Sequence, residues 1–208
     1  MMLSSLFSRC LNIEYTNVQN DVSYATEIIE DELYIYFEGS NGCIDWKNNL
    51  DFPVRCNGFR CYHRGFLRAW YSVKDYLTEH LQNPKYKKIH IIGFSHGAGL
   101  AVLCYELAYK MRPDISCSIF GYGFGCPRVL WGPFRKGAKR IWQGFLVIRN
   151  IDDIVTHLPF ALLGYFHVGK MLKIGEHGKY SRVDAHRPEN ILYELKEYEK
   201  TVNYHNKK

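Results

Sequence analysis

Lys88-Ile89-His90-Ile91-Ile92-Gly93-Phe94-Ser95-His96-Gly97-Ala98-Gly99-Leu100-Ala101 decides the fold. The apolar run Ile89 to Phe94 reads as a buried strand of a parallel sheet. Ala98 to Met111 is almost wholly apolar and reads as a buried helix. Between them Gly93, Ser95 and Gly97 spell G-x-S-x-G, which in a strand-turn-helix context is a nucleophile elbow. So tight a turn leaves no room for side chains on either side of the serine. It lifts the serine hydroxyl at the carboxyl end of the strand. The free N–H groups and positive dipole end of the helix then face a developing oxyanion. A glycine-rich turn that merely contains a serine would not need the strand before it or the apolar helix after it.

The chain has 208 residues, 47% hydrophobic and 15% aromatic, enough for one globular domain with a sizeable core. We read 1–208 as a single domain, with 1–20 as an N-terminal arm. The net charge of +6 comes without a dense basic block, apart from Lys207-Lys208 at the end. Nucleic acid is therefore not expected as a partner, and a weak, peripheral attraction to an anionic membrane surface or to acidic partners fits the charge as well. Of the seven cysteines, Cys104, Cys117 and Cys126 lie in apolar surroundings and read as buried thiols. Cys56 and Cys61 are close enough to bridge in an oxidising compartment, while Cys10 and Cys43 lack obvious partners. No metal-site spacing is present, and neither metal nor cofactor is expected. The start lacks the apolar core of a secretory signal, and no stretch is long and apolar enough to span a bilayer. The expectation is a soluble protein of a reducing, cytoplasmic or otherwise intracellular compartment.

Along the chain, Met1 to about Ile13 forms an amphipathic helix whose Leu3, Leu6, Phe7, Cys10 and Leu11 pack on the domain. Val22 to Ile29 and Leu33 to Phe37 read as a hairpin, its second strand entering the sheet. Gly39 to Gly42 is a turn, Asp45 to Leu50 a short helix, and Asp51 to Tyr62 a loop. Gly65 to Gln82 is a helix with Phe66, Trp70, Val73, Leu77 and Leu81 at helical spacing. After the elbow, Ile115 to Phe124 reads as a strand, Gly125 to Arg128 as a turn and Trp131 to Arg140 as a surface helix. Phe145 to Ile148 is the next strand, and Asn150 to Pro159 the loop after it. Val168 to Ile174 and Lys179 to Val183 read as a late hairpin, followed by a helix from about Pro188 with Ile191, Leu195, Tyr198 and Val202 as its stripe. Alternating strands and helices imply an α/β fold, a mostly parallel central sheet with helices on both faces.

A nucleophilic serine needs a base, and the base an orienting acid, each at the carboxyl end of a later strand in the order Ser, Asp/Glu, His. The acids that follow a strand after Ser95 are Asp152 and Asp153. Of the later histidines, His205 lies in a charged tail, His157 is too near the acid in sequence, and His177 sits in a Gly-His-Gly turn. His186 directly precedes the last helix, where the base belongs, with His167 second; between Phe166 and Val168, His167 reads better as a hydrogen-bonded core residue. The oxyanion donors expected are the backbone N–H of His96 and, from Gly39-Ser40, the N–H and hydroxyl of Ser40.

With these residues in view, the chain resembles the fungal-type, class 3 lipases of the α/β-hydrolase superfamily, over roughly Tyr24 to Leu195. Phe37-Glu38-Gly39-Ser40 followed by Asp45-Trp46 resembles the family's Phe-Arg-Gly-Ser/Thr and Asp-Trp segments, with Glu38 where the family usually carries arginine. His63-Arg64-Gly65-Phe66 resembles its His-x-Gly-Phe helix start, and Phe124 to Val129 its Phe-Gly-x-Pro-Arg-Val turn. Asn150 to Pro159 resembles its acid loop, and Asp184-Ala185-His186 its histidine segment. The resemblance implies the α/β-hydrolase fold, with Ser95 as nucleophile, Asp153 rather than Asp152 as acid, His186 as base, and Ser40 and His96 as oxyanion hole. It also implies a movable lid at about Asn41 to Asp51.

The expected activity is that of a serine hydrolase cleaving carboxylic esters of lipids: triacylglycerol, monoacylglycerol or phospholipid. The chain is shorter than typical secreted members of that family, which speaks against an exported digestive lipase. An acyltransferase or thioesterase would use the same triad. A non-catalytic lipid-binding protein would lack a triad residue or the oxyanion glycine, and neither is missing.

Overall fold

The computed structural model describes residues 2–19, 22–39, 53–57, 60–132 and 140–205. Ser40, the Gly39–Gly42 turn beyond Gly39, the expected Asp45–Leu50 helix, the expected lid and Cys43 lie outside the described residues.

Among the described residues seven strands make the main sheet: β1 (Thr16–Val18), β2 (Val22–Ile29), β3 (Glu32–Phe37), β6 (Lys88–Phe94), β7 (Ile119–Phe124), β9 (Phe145–Asn150) and β11 (Lys170–Ile174), side by side in that order. β1, β2 and β3 are antiparallel neighbours, and from β3 to β11 every pairing is parallel. The described residues also form four α-helices: α1 (Leu3–Asn12), α2 (Arg64–Gln82), α3 (His96–Met111) and α4 (Pro188–His205). A second sheet of short strands stands beside α2 and α3, in the order β10 (Tyr165–Phe166), β8 (Leu130–Trp131), β5 (Arg60–His63) and β4 (Val54–Asn57). This is the expected α/β-hydrolase architecture. No described helix is long and apolar enough to cross a membrane.

The central strands are continuous apolar runs because helices cover both faces. On one face Leu33, Ile35, Ile89, Ile91 and Val147 pack with the stripe of α2, whose Phe66, Trp70, Val73, Leu77 and Leu81 are buried, and with α3. On the other, Ile92, Phe124 and Ile148 pack with Phe7 of α1 and with Ile191 and Leu195 of α4. Fully burying a side chain such as Phe7, which is 0% exposed, contributes about 1.5–3 kcal/mol. Ser4 fastens α1 to α4: its N–H and hydroxyl both donate to the Glu199 carboxylate, at 3.0 and 2.5 Å. In α4, Ile191 and Leu195 are buried as the stripe requires, but Tyr198 and Val202 are 36% and 37% exposed, so the stripe ends after two turns.

Several local expectations are corrected. Within Asp51–Tyr62, expected as loop, lie β4 and β5, with Cys56 and Cys61 opposite one another and joined by a disulfide. The hairpin is held by polar contacts: buried Glu106 of α3 pairs with Arg60 and accepts from the Tyr62 hydroxyl at 2.9 Å. Ile115 to Ser118 is not strand: Pro113 opens a 3₁₀ turn through Ser118, fixed by the Arg112–Asp114 pair, and β7 begins at Ile119. Cys117 is consequently exposed rather than buried. Trp131, expected in a surface helix, lies in β8, and 133–139 are outside the described residues. The late hairpin does not form. β11 pairs in parallel with β9, and Lys179 to Val183 is not a strand. Lys179 and Tyr180 instead both bind Glu194 of α4, at 2.6 and 2.9 Å.

Candidate active site

Ser95 stands between β6 and α3 with φ +52° and ψ −118°, a left-handed conformation uncommon outside glycine. Its N–H donates to the carbonyl of Phe124 at the end of β7, 2.9 Å, and its own carbonyl accepts from Ala98 at 3.0 Å. The elbow is thereby tied to the neighbouring strand and to its helix. A Cβ on Gly93 would strike the Gly97 carbonyl, and one on Gly97 the carbonyl oxygens of Phe37 and Glu38. The two flanking glycines thus let the helix start press on the end of β3. That contact brings Glu38-Gly39, the segment leading to Ser40, against the elbow.

His186 comes from a 3₁₀ turn, Asp184–His186, directly before α4. A proton on Nδ1 donates to Asp153 Oδ2 at 2.8 Å, which leaves Nε2 to accept from the Ser95 hydroxyl at 2.8 Å. Asp153 is 0% exposed. Its other oxygen, Oδ1, accepts from the Val155 N–H at 2.8 Å, so the carboxylate is fully engaged away from water. His186 therefore has one orientation and one useful tautomer.

Supports for this relay come from four directions. Phe94 stacks on the His186 ring, centroids 5.2 Å apart, and Phe7 of α1 packs edge-on against Phe94 at 5.5 Å. Buried Asn150 donates to the Ala185 carbonyl at 3.0 Å, fixing the backbone next to His186. Arg128 donates to the carbonyl of His157 and, at 2.8 Å, to that of Pro159, holding the far limb of the acid loop. Gly125 has φ +56°, and a Cβ there would lie 2.7 Å from His186 Cε1, 2.9 Å from Nδ1 and 3.1 Å from Asp153 Oδ2. The residue types of Gly125, Arg128 and Asn150 point to no role by themselves, although each lies in a stretch that resembles the family. Nothing in a single sequence shows that the space above Gly125 belongs to another residue's ring.

The other candidates lie elsewhere. Asp152 faces the turn before Tyr180, accepting from His177 Nδ1 at 2.9 Å and the Gly178 N–H at 2.6 Å. His177 is exposed, and His157 is joined to Arg149. His167 donates to the Thr156 carbonyl at 2.7 Å; burial lowers its pKa to about 4, so it is a neutral structural histidine, as its apolar neighbours suggested. His205 lies in the last turn of α4. His63, heading the resembled His-x-Gly-Phe segment, caps α2 by accepting from the Gly65 N–H at 3.1 Å. His96 opens α3, its ring stacked on Phe66 at 5.2 Å, which puts its backbone N–H at the helix end nearest Ser95.

The family described as lipase (class 3) matches residues 34–163 of the chain. A lipase of Rhizomucor miehei is 32% identical over 151 residues, 68% of this chain and 41% of that one. Phospholipase A(1) DAD1, a chloroplastic protein of Arabidopsis thaliana, is 25% identical over 177 residues, 73% of this chain and 39% of its own. The chain thus spans about two fifths of the length of these relatives. Among solved structures, a Rhizomucor miehei triacylglyceride lipase superimposes with a TM-score of 0.65 at 25% identity, covering 79% of this chain and 66% of that one.

Proposed function

Because the chain belongs to the class 3 lipase family, we propose that it hydrolyses carboxylic esters of lipids through an acyl-enzyme on Ser95. The observation that carries this is the unbroken relay Ser95–His186–Asp153, both links at 2.8 Å. Ser95 Oγ attacks the ester carbonyl carbon as His186 Nε2 takes its proton. Asp153 orients the imidazole and balances its charge. The N–H of His96 holds the tetrahedral oxyanion, with Ser40 as second donor. His186 then passes the proton to the departing alcohol, and water, activated by the same nitrogen, releases the acid. The substrate is an acylglycerol or a phospholipid, the lipid classes that the names of the matched relatives suggest. The Cys56–Cys61 bridge supports an oxidising compartment for the working enzyme rather than a reducing one.

Turnover of p-nitrophenyl esters across a series of acyl lengths tests the reading, and silence at every length overturns it. Transfer of the acyl group to an added alcohol in preference to water would instead identify an acyltransferase. Gly125→Ala supplies a sharper geometric check. Its methyl group displaces the His186 ring, and a shift on the scale of 1 Å costs about 10²-fold in kcat. The positive φ adds a stability loss of ~1 kcal/mol, readable as a lowered melting temperature. Full activity in Gly125→Ala would show that the ring's place is not needed.

A further inference from the structure

Beside the acid loop lies a cavity of ≈ 340 Å³ that the relay does not use, lined by Arg149, Asp152, His157, Phe160, His177 and Arg182 among others. Its charge is one-sided. Asp152 is the one carboxylate among its described lining residues, already bound by His177 and the Gly178 N–H. Among the described residues, no carboxylate lies within 4.0 Å of Arg149, Arg182 or nearby Arg128. Arg149 is joined through Nη2 to His157 and to the Ile151 carbonyl, while its buried Nε has no hydrogen-bond partner among the described residues. The field shows on His157, held below its ordinary pKa by burial and then by Arg149 and Arg128. At this wall of the cavity the chain turns outward. Phe160, Leu162 and Leu163 are 52%, 100% and 51% exposed. Yet the turn that carries them is firmly built. Leu163 and Gly164 donate back to Phe160 and Ala161 at 3.0 and 2.9 Å, and the Trp131 indole donates to the Leu163 carbonyl at 2.7 Å. Apolar side chains held out to water beside a cavity with two arginines and one described carboxylate match the two layers of a lipid surface, acyl region and phosphate.

We propose that the Arg149–Arg182 cavity binds the phosphate headgroup of an anionic phospholipid while Phe160, Leu162 and Leu163 enter the acyl layer of the same membrane. This deepens the reading of the chain as a lipid-ester hydrolase and rests on it, placing the substrate's surface against the acid-loop side of Ser95. A free phosphate would satisfy the arginines but not the apolar turn, which is why the occupant is a membrane lipid.

The test uses the Ser95→Ala protein, so that binding is read without hydrolysis and stands or falls apart from the catalytic reading. Its sedimentation with vesicles of phosphatidylcholine is compared with vesicles of phosphatidylcholine and phosphatidic acid. Binding is expected to favour the acidic vesicles. Arg182→Gln, an exposed position, weakens that binding about fivefold. The same change at Arg68, exposed on α2, has less effect. Leu162→Asp weakens binding roughly tenfold to both vesicle types, by keeping a fully exposed apolar side chain out of the lipid. Equal binding to both vesicle types, or equal effects at Arg182 and Arg68, would overturn the proposal. So would saturable binding of inorganic phosphate without vesicle binding, which makes the cavity a free-anion site. Leu162→Asp that only splits a dimer would make the apolar turn a self-association surface and overturn it equally.

Discussion

Ser95→Ala is expected to lower kcat/KM for a lipid ester by about 10⁶-fold while leaving the fold intact. The hydroxyl is the group whose proton His186 Nε2 is placed to accept, at 2.8 Å, and alanine leaves that nitrogen facing nothing to activate. The backbone does not depend on the hydroxyl, because the elbow is held by the Ser95 N–H to Phe124 and by the close approach of Gly97 to Phe37. What remains in the variant is whatever the oxyanion donors and substrate binding achieve alone, so the residual rate stays measurable above that in water. A variant with a normal melting temperature and more than a small fraction of native turnover would remove Ser95 from the reaction.

Asp153→Asn is expected to lower kcat by about 10⁴-fold, and Asp152→Asn to leave it nearly unchanged. Both residues are aspartates of one loop, so the contrast isolates geometry from composition. In Asp153→Asn the amide can present its N–H₂ to His186 Nδ1. The proton then moves to Nε2, where it blocks acceptance from Ser95. Oδ1 can still accept from the Val155 N–H, so the loop keeps its shape and the loss falls on kcat rather than on folding. Asp152 spends both oxygens on His177 and Gly178, away from the relay, and its replacement touches an exposed turn. Steady-state kinetics on one ester, with thermal melts as control, decides between them. Equal losses at the two positions would mean that the acid had been misassigned.

The parts of this fold legible in the sequence are those specified by continuous apolar runs. Lys88–Phe94 and the helix after it are legible because both are largely apolar and mostly buried, although the helix begins at His96 rather than at Ala98. The α2 stripe was equally plain. The β4–β5 hairpin was hidden because it rests on Glu106, Arg60 and a disulfide, with β4 largely exposed, so hydrophobic alternation never marks it. Lys179–Val183 misled in the opposite sense. Its Tyr180 and Val183 suit a strand, but Glu194 draws Lys179 and Tyr180 to α4, and the chain uses this stretch to deliver His186.

The relay residues could be found by order along the chain: a serine in an elbow, a later acid after a strand, a histidine before the last helix. Choosing Asp153 over Asp152 needed the family resemblance, because both follow β9 and only the three-dimensional turn sends one inward. Gly125, Asn150 and Arg128 act through backbone carbonyls and excluded volume, which leave no trace in residue type alone.

The most direct measurement is labelling of the native protein with a fluorophosphonate, followed by mass spectrometry of the digested adduct. Such a probe traps only a serine activated by a neighbouring base. One equivalent attached to Ser95, and none in Ser95→Ala, is the predicted result. An unlabelled native protein, or an adduct on any other residue, would contradict the assignment of Ser95, His186 and Asp153 as a working catalytic unit.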